Sequence, residues 1–197
     1  MKRERTLAVR RSLAFALDWL VVALWGGLLF GAVMIATHGN PPRPESPWAA
    51  QAIGLLTLMV PVTSYFAFCE SSALRASLGK RVLGLVVSRE TGERLSLQSA
   101  FLRNALKFVP WECGHTVAQQ AAFSVDEGFP AWLWGPATVA LVGPMWWLVA
   151  MFATGRTPYD RWASARVSCS TDPEHRFDVA ALAAQPPVAA DGAPRRR

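Results

Sequence analysis

An all-α fold, a polytopic transmembrane helical bundle of four spans carrying one small β-hairpin, is what the sequence predicts, and three observations lead there. Of the 197 residues, 52% are hydrophobic and only 17% charged, and the mean hydropathy is +0.21, more apolar than an average soluble domain. The apolar residues come in long runs with the charges in short blocks between them, as in a chain threaded through a bilayer, whereas a soluble core interleaves the two. The Lys and Arg residues behind the net charge of +6 flank those runs. They form no basic stripe interleaved with exposed aromatics, so they read as membrane-orienting and nucleic acid is not an expected partner.

The first span runs from Ser12 to about Thr37, after a flank in which Lys2, Arg3, Arg5, Arg10 and Arg11 face a single Glu4. It is longer than the apolar region of a cleavable signal and is followed by further spans, so it is expected to remain in the membrane. Within it stands Asp18, and an intramembrane carboxylate is costly enough to mark a pairing or functional site. Arg11, Ala14 and Asp18 share one helical face. His38 to Pro47, with Pro41, Pro42 and Pro44, is an exposed loop.

Ala49 to Phe68 is the second span, with Pro61 as the expected kink. Leu74 to Lys107 is rich in Arg and Lys, which places it on the cytosolic side with the N-terminus. There Val82–Val87 and Arg94–Leu97 flank the turn Arg89-Glu90-Thr91-Gly92-Glu93, a pattern that predicts a cytosolic β-hairpin. Ser96 is placed to cap the following helix, on which Arg103 and Lys107 share a face.

Charge parity argues for a third span. Ala131 to Ala153 is a Trp-rich crossing followed by Arg156, Arg161 and Arg166. If that basic segment is also cytosolic, the half-polar stretch Ala100 to Phe123 must cross, despite Pro110, Glu112, Gly114 and His115. The alternative has three spans, with Gln98 to Val109 lying along the interface. Residues 1–168 then form the membrane domain, and residues 169–197 a disordered cytosolic tail. No internal repeat is present. Cys69, Cys113 and Cys169 are isolated, and no metal-ligand spacing occurs, so no disulfide framework, metal or cofactor is expected.

These features together resemble the RDD family of bacterial integral membrane proteins, named for one arginine and two aspartates. Arg11 and Asp18 look like the family's first arginine and aspartate. Ala76-Ser77-Leu78-Gly79-Lys80-Arg81-Val82-Leu83-Gly84-Leu85-Val86-Val87 is similar to its Thr-x-Gly-Lys-Arg-x-x-Gly-x-x-Val pattern. Arg103 corresponds to its usual downstream arginine, and Asp160, in Gly155-Arg156-Thr157-Pro158-Tyr159-Asp160-Arg161, to the second aspartate. Two departures stand out: Ser77 replaces the usual Thr, and Ser164-Ala165 stands where the family generally has Gly-Thr. The resemblance implies a bacterial inner-membrane location. For activity it implies transport of an unidentified ligand, with sodium/proton antiport proposed for some members.

From the residues, Arg11 and Asp18 are too far apart along one helix to pair, about 10 Å. Arg11 is therefore expected to snorkel to the headgroups, and Asp18 to pair with Arg103 or Lys107 in a polar cluster that includes Asp160. Such a cluster either binds a cation or proton in a transport cycle or only fixes helix register. Glu112 and His115 are the secondary candidates, as a relay or as a solvated turn. The Walker spacing is absent around Gly79-Lys80, so the basic residues there are expected to touch anionic lipid headgroups. No Gly-x-Ser-x-Gly or His-Glu-x-x-His motif occurs, so an enzyme is not expected, a lipid-modifying one being the distant case. What remains is an ion or solute transporter, expected to be a homo-oligomer, or a scaffold for a membrane-protein partner.

Overall fold

Lys2–Ala36 (α1) forms one uninterrupted helix, so the basic flank continues the apolar span instead of preceding it. The computed structural model describes residues 2–124 and 128–170. Residues 125–127, which include Asp126 and Glu127, and the expected tail beyond residue 170 lie outside the described residues. Three helical stretches, Arg5–Ala36, Pro47–Ser71 and Ala131–Thr154, are long and apolar enough to cross a membrane. Leu20, Leu24, Leu28, Phe30 and Ile35 on α1 and Leu141, Val142 and Val149 on the last stretch point away from the protein. Exposed apolar surface of that extent suits acyl chains, not water.

The second stretch consists of Pro47–Gly54 (α2), a π-helical segment Leu55–Met59 and Val60–Ser71 (α3). Pro61 has no N–H to offer the carbonyl four residues back, on Thr57. The ladder slips there: the Val60 N–H reaches back five residues to Leu55, and Trp25 Nε1–H on α1 donates to the orphaned Thr57 carbonyl at 3.0 Å. The disturbance expected at Pro61 is therefore a π segment beginning before it, stabilised by an indole from the neighbouring helix.

Leu78–Val82 (α4) and Leu85–Arg89 (β1) follow. The expected local hairpin does not form. β1 pairs antiparallel with Ala165–Cys169 (β2), Leu85 opposite Cys169 and Arg89 opposite Ala165. The turn does close through the Arg89 N–H to the Glu93 carbonyl at 2.8 Å. Ser96 then accepts from the Ser99 N–H as the N-cap of the next helix, so Arg94–Leu97 is drawn into a helix start and is unavailable as a strand. Ala165 and Val167 bring buried side chains that join Leu85, Val87 and Leu95 in the core. β2 ends at Cys169, and the next residue, Ser170, donates its N–H to the Gly84 carbonyl at 2.8 Å.

Leu97–Phe123 (α5) is a single helix through Pro110, about 40 Å long at 1.5 Å per residue. It packs on α3 and on Trp134–Thr154 (α6), which is preceded by a 3-10 turn, Ala131–Leu133. Gly155, at φ +70, ends α6 in the left-handed conformation that a Cβ would penalise. Pro158–Trp162 (α7) then leads into β2. Ser164 also adopts a positive φ, 48°, at the position where the resembling family generally has glycine. The departure noted in the sequence is thus a residue carrying backbone strain that glycine would not. The core has two parts: small residues around the sheet, including Ala14, Ala67 and Ala163, and an apolar cluster of Met59, Val62, Phe66 and Phe108.

Candidate functional site: a buried charge network beside a cavity

Four elements deliver ionised side chains to one place between the two parts of the core. Arg11 comes from α1, Glu70 from the last turn of α3, Arg103 from the second turn of α5 and Asp160 from α7. Glu70 and Asp160 are wholly buried and Arg103 nearly so. Arg103 is the hub. Its Nη1 donates to both Glu70 oxygens at 2.7 and 2.6 Å, while Nε and Nη2 donate to Asp160 Oδ1 at 2.9 and 2.7 Å. A planar guanidinium can serve two carboxylates in this way because its donors point along fixed, divergent directions.

The second Asp160 oxygen accepts from Arg11 Nη2 at 2.5 Å and from the Thr157 N–H at 3.2 Å. The Thr157 hydroxyl oxygen in turn accepts from the Asp160 N–H, so the second aspartate also closes the capping box of α7. Arg11 Nη1 donates to the Gly155 carbonyl at 3.0 Å. Arg11 therefore does not snorkel to headgroups: the turn at Gly155 brings a carboxylate and a free carbonyl within its reach, and it is 8% exposed.

Asp18 pairs with neither Arg103 nor Lys107. Its Oδ2 accepts from Ser77 Oγ at 2.6 Å and its Oδ1 from the Gly79 N–H at 2.7 Å, with Lys80 Nζ at 3.8 Å. The first turn of α4 leaves N–H groups without helical partners, and the carboxylate from α1 satisfies the one on Gly79. The substitution of Ser for Thr at 77 keeps the hydroxyl that this contact needs. Lys80 then links the two halves of the network, with Nζ 3.0 Å from Glu70 Oε1 and 3.1 Å from Ser77 Oγ. Asn104 Nδ2 donates the last bond to Glu70, at 2.9 Å.

Arg11, Asp18, Arg103 and Asp160 thus fall into one connected network. Sequence reasoning missed Glu70, Asn104 and the inward turn of Lys80. Glu70 ends an apolar span as Asp18 interrupts one, and the same rule about carboxylates at membrane depth would have found it. Lys107 lies next to the network without joining it: its Nζ sits 3.9 Å from the Phe66 ring centroid and 4.8 Å from that of Phe108. Glu112 and His115 form a separate pair in the second half of α5, Oε1 to Nδ1 3.4 Å, with Gln51 of α2 donating to the other Glu112 oxygen. They sit within a helix, not at a solvated turn.

Burial alone would raise the Asp160 carboxyl pKa, but Arg103 and then Arg11 outweigh it and hold the group below the ordinary aspartate range. Because the folded value is the lower one, the resulting stability is fully present above the unfolded value of about 3.9 and is lost as pH falls from there through the folded value. Asp160→Asn is expected to unfold with a shallower dependence on pH below about 4 than the parent chain. Thermal unfolding in detergent across that range checks this, and identical slopes would contradict it.

On the far side of Arg11, Lys80 and Arg103 opens a cavity of about 520 Å³ between α1, α5 and α6. Phe15, Trp19, Trp111, Trp147 and Tyr159 supply its walls, with Trp19 and Trp111 in contact at 4.4 Å between centroids. Its volume lies within the range of small-molecule sites.

No curated protein and no solved structure matches the chain. The RDD family's sequence model matches residues 5–164, a stretch that takes in Arg11, Asp18, Glu70, Lys80, Arg103, Asp160 and the cavity-lining parts of α1, α5 and α6. With its arginine and both aspartates joined in one network and three helices apolar enough to span a bilayer, the chain belongs to the RDD family of membrane proteins.

Proposed function

We propose that this chain is a four-span protein of the bacterial inner membrane, with both termini cytosolic, that binds a small solute in the α1–α5–α6 cavity and moves it across the bilayer without catalysing a reaction. The cavity carries this reading: a concave, mostly apolar space with a few fixed charges is the usual form of a solute site. The carboxylates are not free to take up a cation, since Glu70 and Asp160 are each held by two cationic side chains and Asp18 by two hydrogen bonds and Lys80. In this reading the network braces the site and the cavity does the binding.

The pairing of distant segments supports four crossings. β1 lies before α5 and β2 after α6, yet the two strands are hydrogen-bonded, so they occupy the same side of any membrane. An even number of crossings must separate them; if α6 crosses, α5 crosses too. Arg11 at the start of α1 and Asp160 after α6 are paired in the same way. Anionic headgroups, and a second copy of the chain, are the partners proposed for the outer faces.

Reporter fusions after Gly128 and after Arg166 are expected to read outside and inside respectively; inside and outside would restore the three-span alternative. For transport, proteoliposomes are given separate gradients of sodium, protons and naphthalene-1-sulfonate. At least one gradient is expected to collapse with the parent chain and to persist severalfold longer with Leu148→Trp, which fills the cavity from a lipid-side position. No flux of any of the three, with one stoichiometric protein copurifying, would replace transport by a scaffold role.

A further inference from the structure

The charges around the cavity do not balance. Four cations, Arg11, Lys80, Arg103 and Lys107, line it, while the three carboxylates that answer them, Asp18, Glu70 and Asp160, are buried behind that lining with at most 1% exposure. Arg11, Lys80 and Arg103 each hold one or more of those carboxylates. Among the described residues no carboxylate lies in ion-pair range of Lys107. Its ammonium rests on the faces of Phe15, Phe66 and Phe108, at 5.0, 3.9 and 4.8 Å from the centroids.

Aromatic faces attract a cation, but they carry no net charge and cannot neutralise one. An ammonium set beside an apolar cavity with no counter-ion is costly, and that cost falls when an anion arrives. The cavity offers such an anion two kinds of surface. Lys107 gives an acidic head a point charge to meet, and Trp19, Trp111 and Trp147 give an apolar or aromatic body a wall to pack on. A cation entering the same space would meet four positive charges and no accessible carboxylate.

We propose that the cavity is a site for an amphipathic monoanion, its sulfonate, carboxylate or phosphate-type head on Lys107 and its apolar body against the tryptophans. This rests on the reading that the cavity is where solute binds, and it deepens that reading by assigning the sign and shape of the solute. The shared chemistry, an acidic head on an apolar body, could reach the site as a soluble organic anion or as an anionic lipid entering between α1 and α6.

The test uses the full chain in phosphatidylcholine nanodiscs, titrated calorimetrically with naphthalene-1-sulfonate and, separately, with its neutral counterpart naphthalene-1-sulfonamide. The sulfonate is expected to bind at least about tenfold more tightly. Lys107→Met, which keeps an unbranched apolar stem, is expected to remove that preference, and Lys107→Arg to retain most of it. Equal binding of the two probes by the parent chain overturns the site without reference to any variant, so a poorly folded Lys107→Met does not shield the proposal. An undiminished preference in a folded Lys107→Met overturns it as well.

Adding phosphatidylglycerol to the nanodiscs separates the two sources. Weakened sulfonate binding assigns the head to lipid, unchanged binding assigns it to a soluble anion, and either supports the site. Sulfonate binding with no flux of any tested gradient would remove the transport reading and leave the anion site. Sodium or proton flux with equal binding of sulfonate and sulfonamide would do the reverse.

Discussion

Arg103→Met is expected to destabilise the protein by about 3–5 kcal/mol, the cost typical of removing one partner from a buried ionic network. The residue is 2% exposed and places four hydrogen bonds on two carboxylates that are themselves fully buried. Without it Glu70 keeps only Lys80 and Asn104, and Asp160 keeps only Arg11 and the Thr157 N–H. Two paired cations, Arg11 and Lys80, then face the three carboxylates Asp18, Glu70 and Asp160, so the loss comes from charge as well as geometry. Arg103→Lys is therefore expected to recover only part of the stability, because one compact ammonium cannot face Glu70 and Asp160 at once. Unfolding in a denaturing detergent titration measures both. The double variant Arg103→Met with Glu70→Gln should cost less than the sum of its parts, as contacting residues in one network do. A loss under about 1 kcal/mol for Arg103→Met would show that the hub is not holding the four elements together.

A second large effect is expected where helix propensity predicts the opposite sign. Gly79 lies in α4, and alanine there would ordinarily favour the helix by about 1 kcal/mol. A Cβ on Gly79, however, would fall 2.2 Å from the Ala14 carbonyl oxygen and 2.9 Å from Asp18 Oδ1. The nearest atom is backbone and cannot swing aside, so α4 must move away from α1. That displacement breaks the Gly79 N–H to Asp18 bond and loosens Ser77 and Lys80 from the same carboxylate. Overpacking together with a lost bond to a buried charge gives an expected cost of about 3 kcal/mol. Gly27→Ala is the control, since nothing lies within 4 Å of the position a Cβ would take there. It should be neutral or slightly stabilising. Equal stabilities for the two alanine variants, measured in the same detergent titration, would show that α1 and α4 are not locked together. Gly79→Ala combined with Asp18→Asn should be clearly less than additive, because both act on one contact.

The two variants also separate the roles of the family's aspartates. Asp160 answers a guanidinium hub and caps its own short helix, whereas Asp18 satisfies the backbone of a helix sixty residues away in sequence, beginning at Leu78. In the proposed reading both aspartates brace the site, and the binding chemistry falls to Lys107, the cavity cation outside their network.

Much of this was legible in the residues. Long apolar runs must be helices in a bilayer because each backbone group has to be satisfied within its own segment, and three of those runs are helices as read. Asp18 stood out because a charge at membrane depth needs a reason, and Arg103 and Asp160 through the resemblance of their motifs. Ser96 was readable as a cap from its place before an amphipathic run, and it is one. The π segment was less accessible: Pro61 announces that the Thr57 carbonyl is orphaned, but only the position of Trp25 shows how it is satisfied.

What the sequence by itself determined is local: helices, caps, and which side chains are too polar to lie in lipid without a partner. Which partner each one meets was decided by the tertiary structure. β1 pairs with a strand about eighty residues away and not with the segment beside it, because Ala165 and Val167 extend its buried face while Ser96 and Leu97 already start α5. Asp18 meets Ser77, the Gly79 N–H and Lys80 of the α4 segment instead of Arg103 or Lys107, since Gly79 lets that helix approach where any side chain would hold it off. Hydrophobic periodicity is a property of neighbours along the chain, but charge pairing depends on distance in space, and a few ångströms of helix approach decide it.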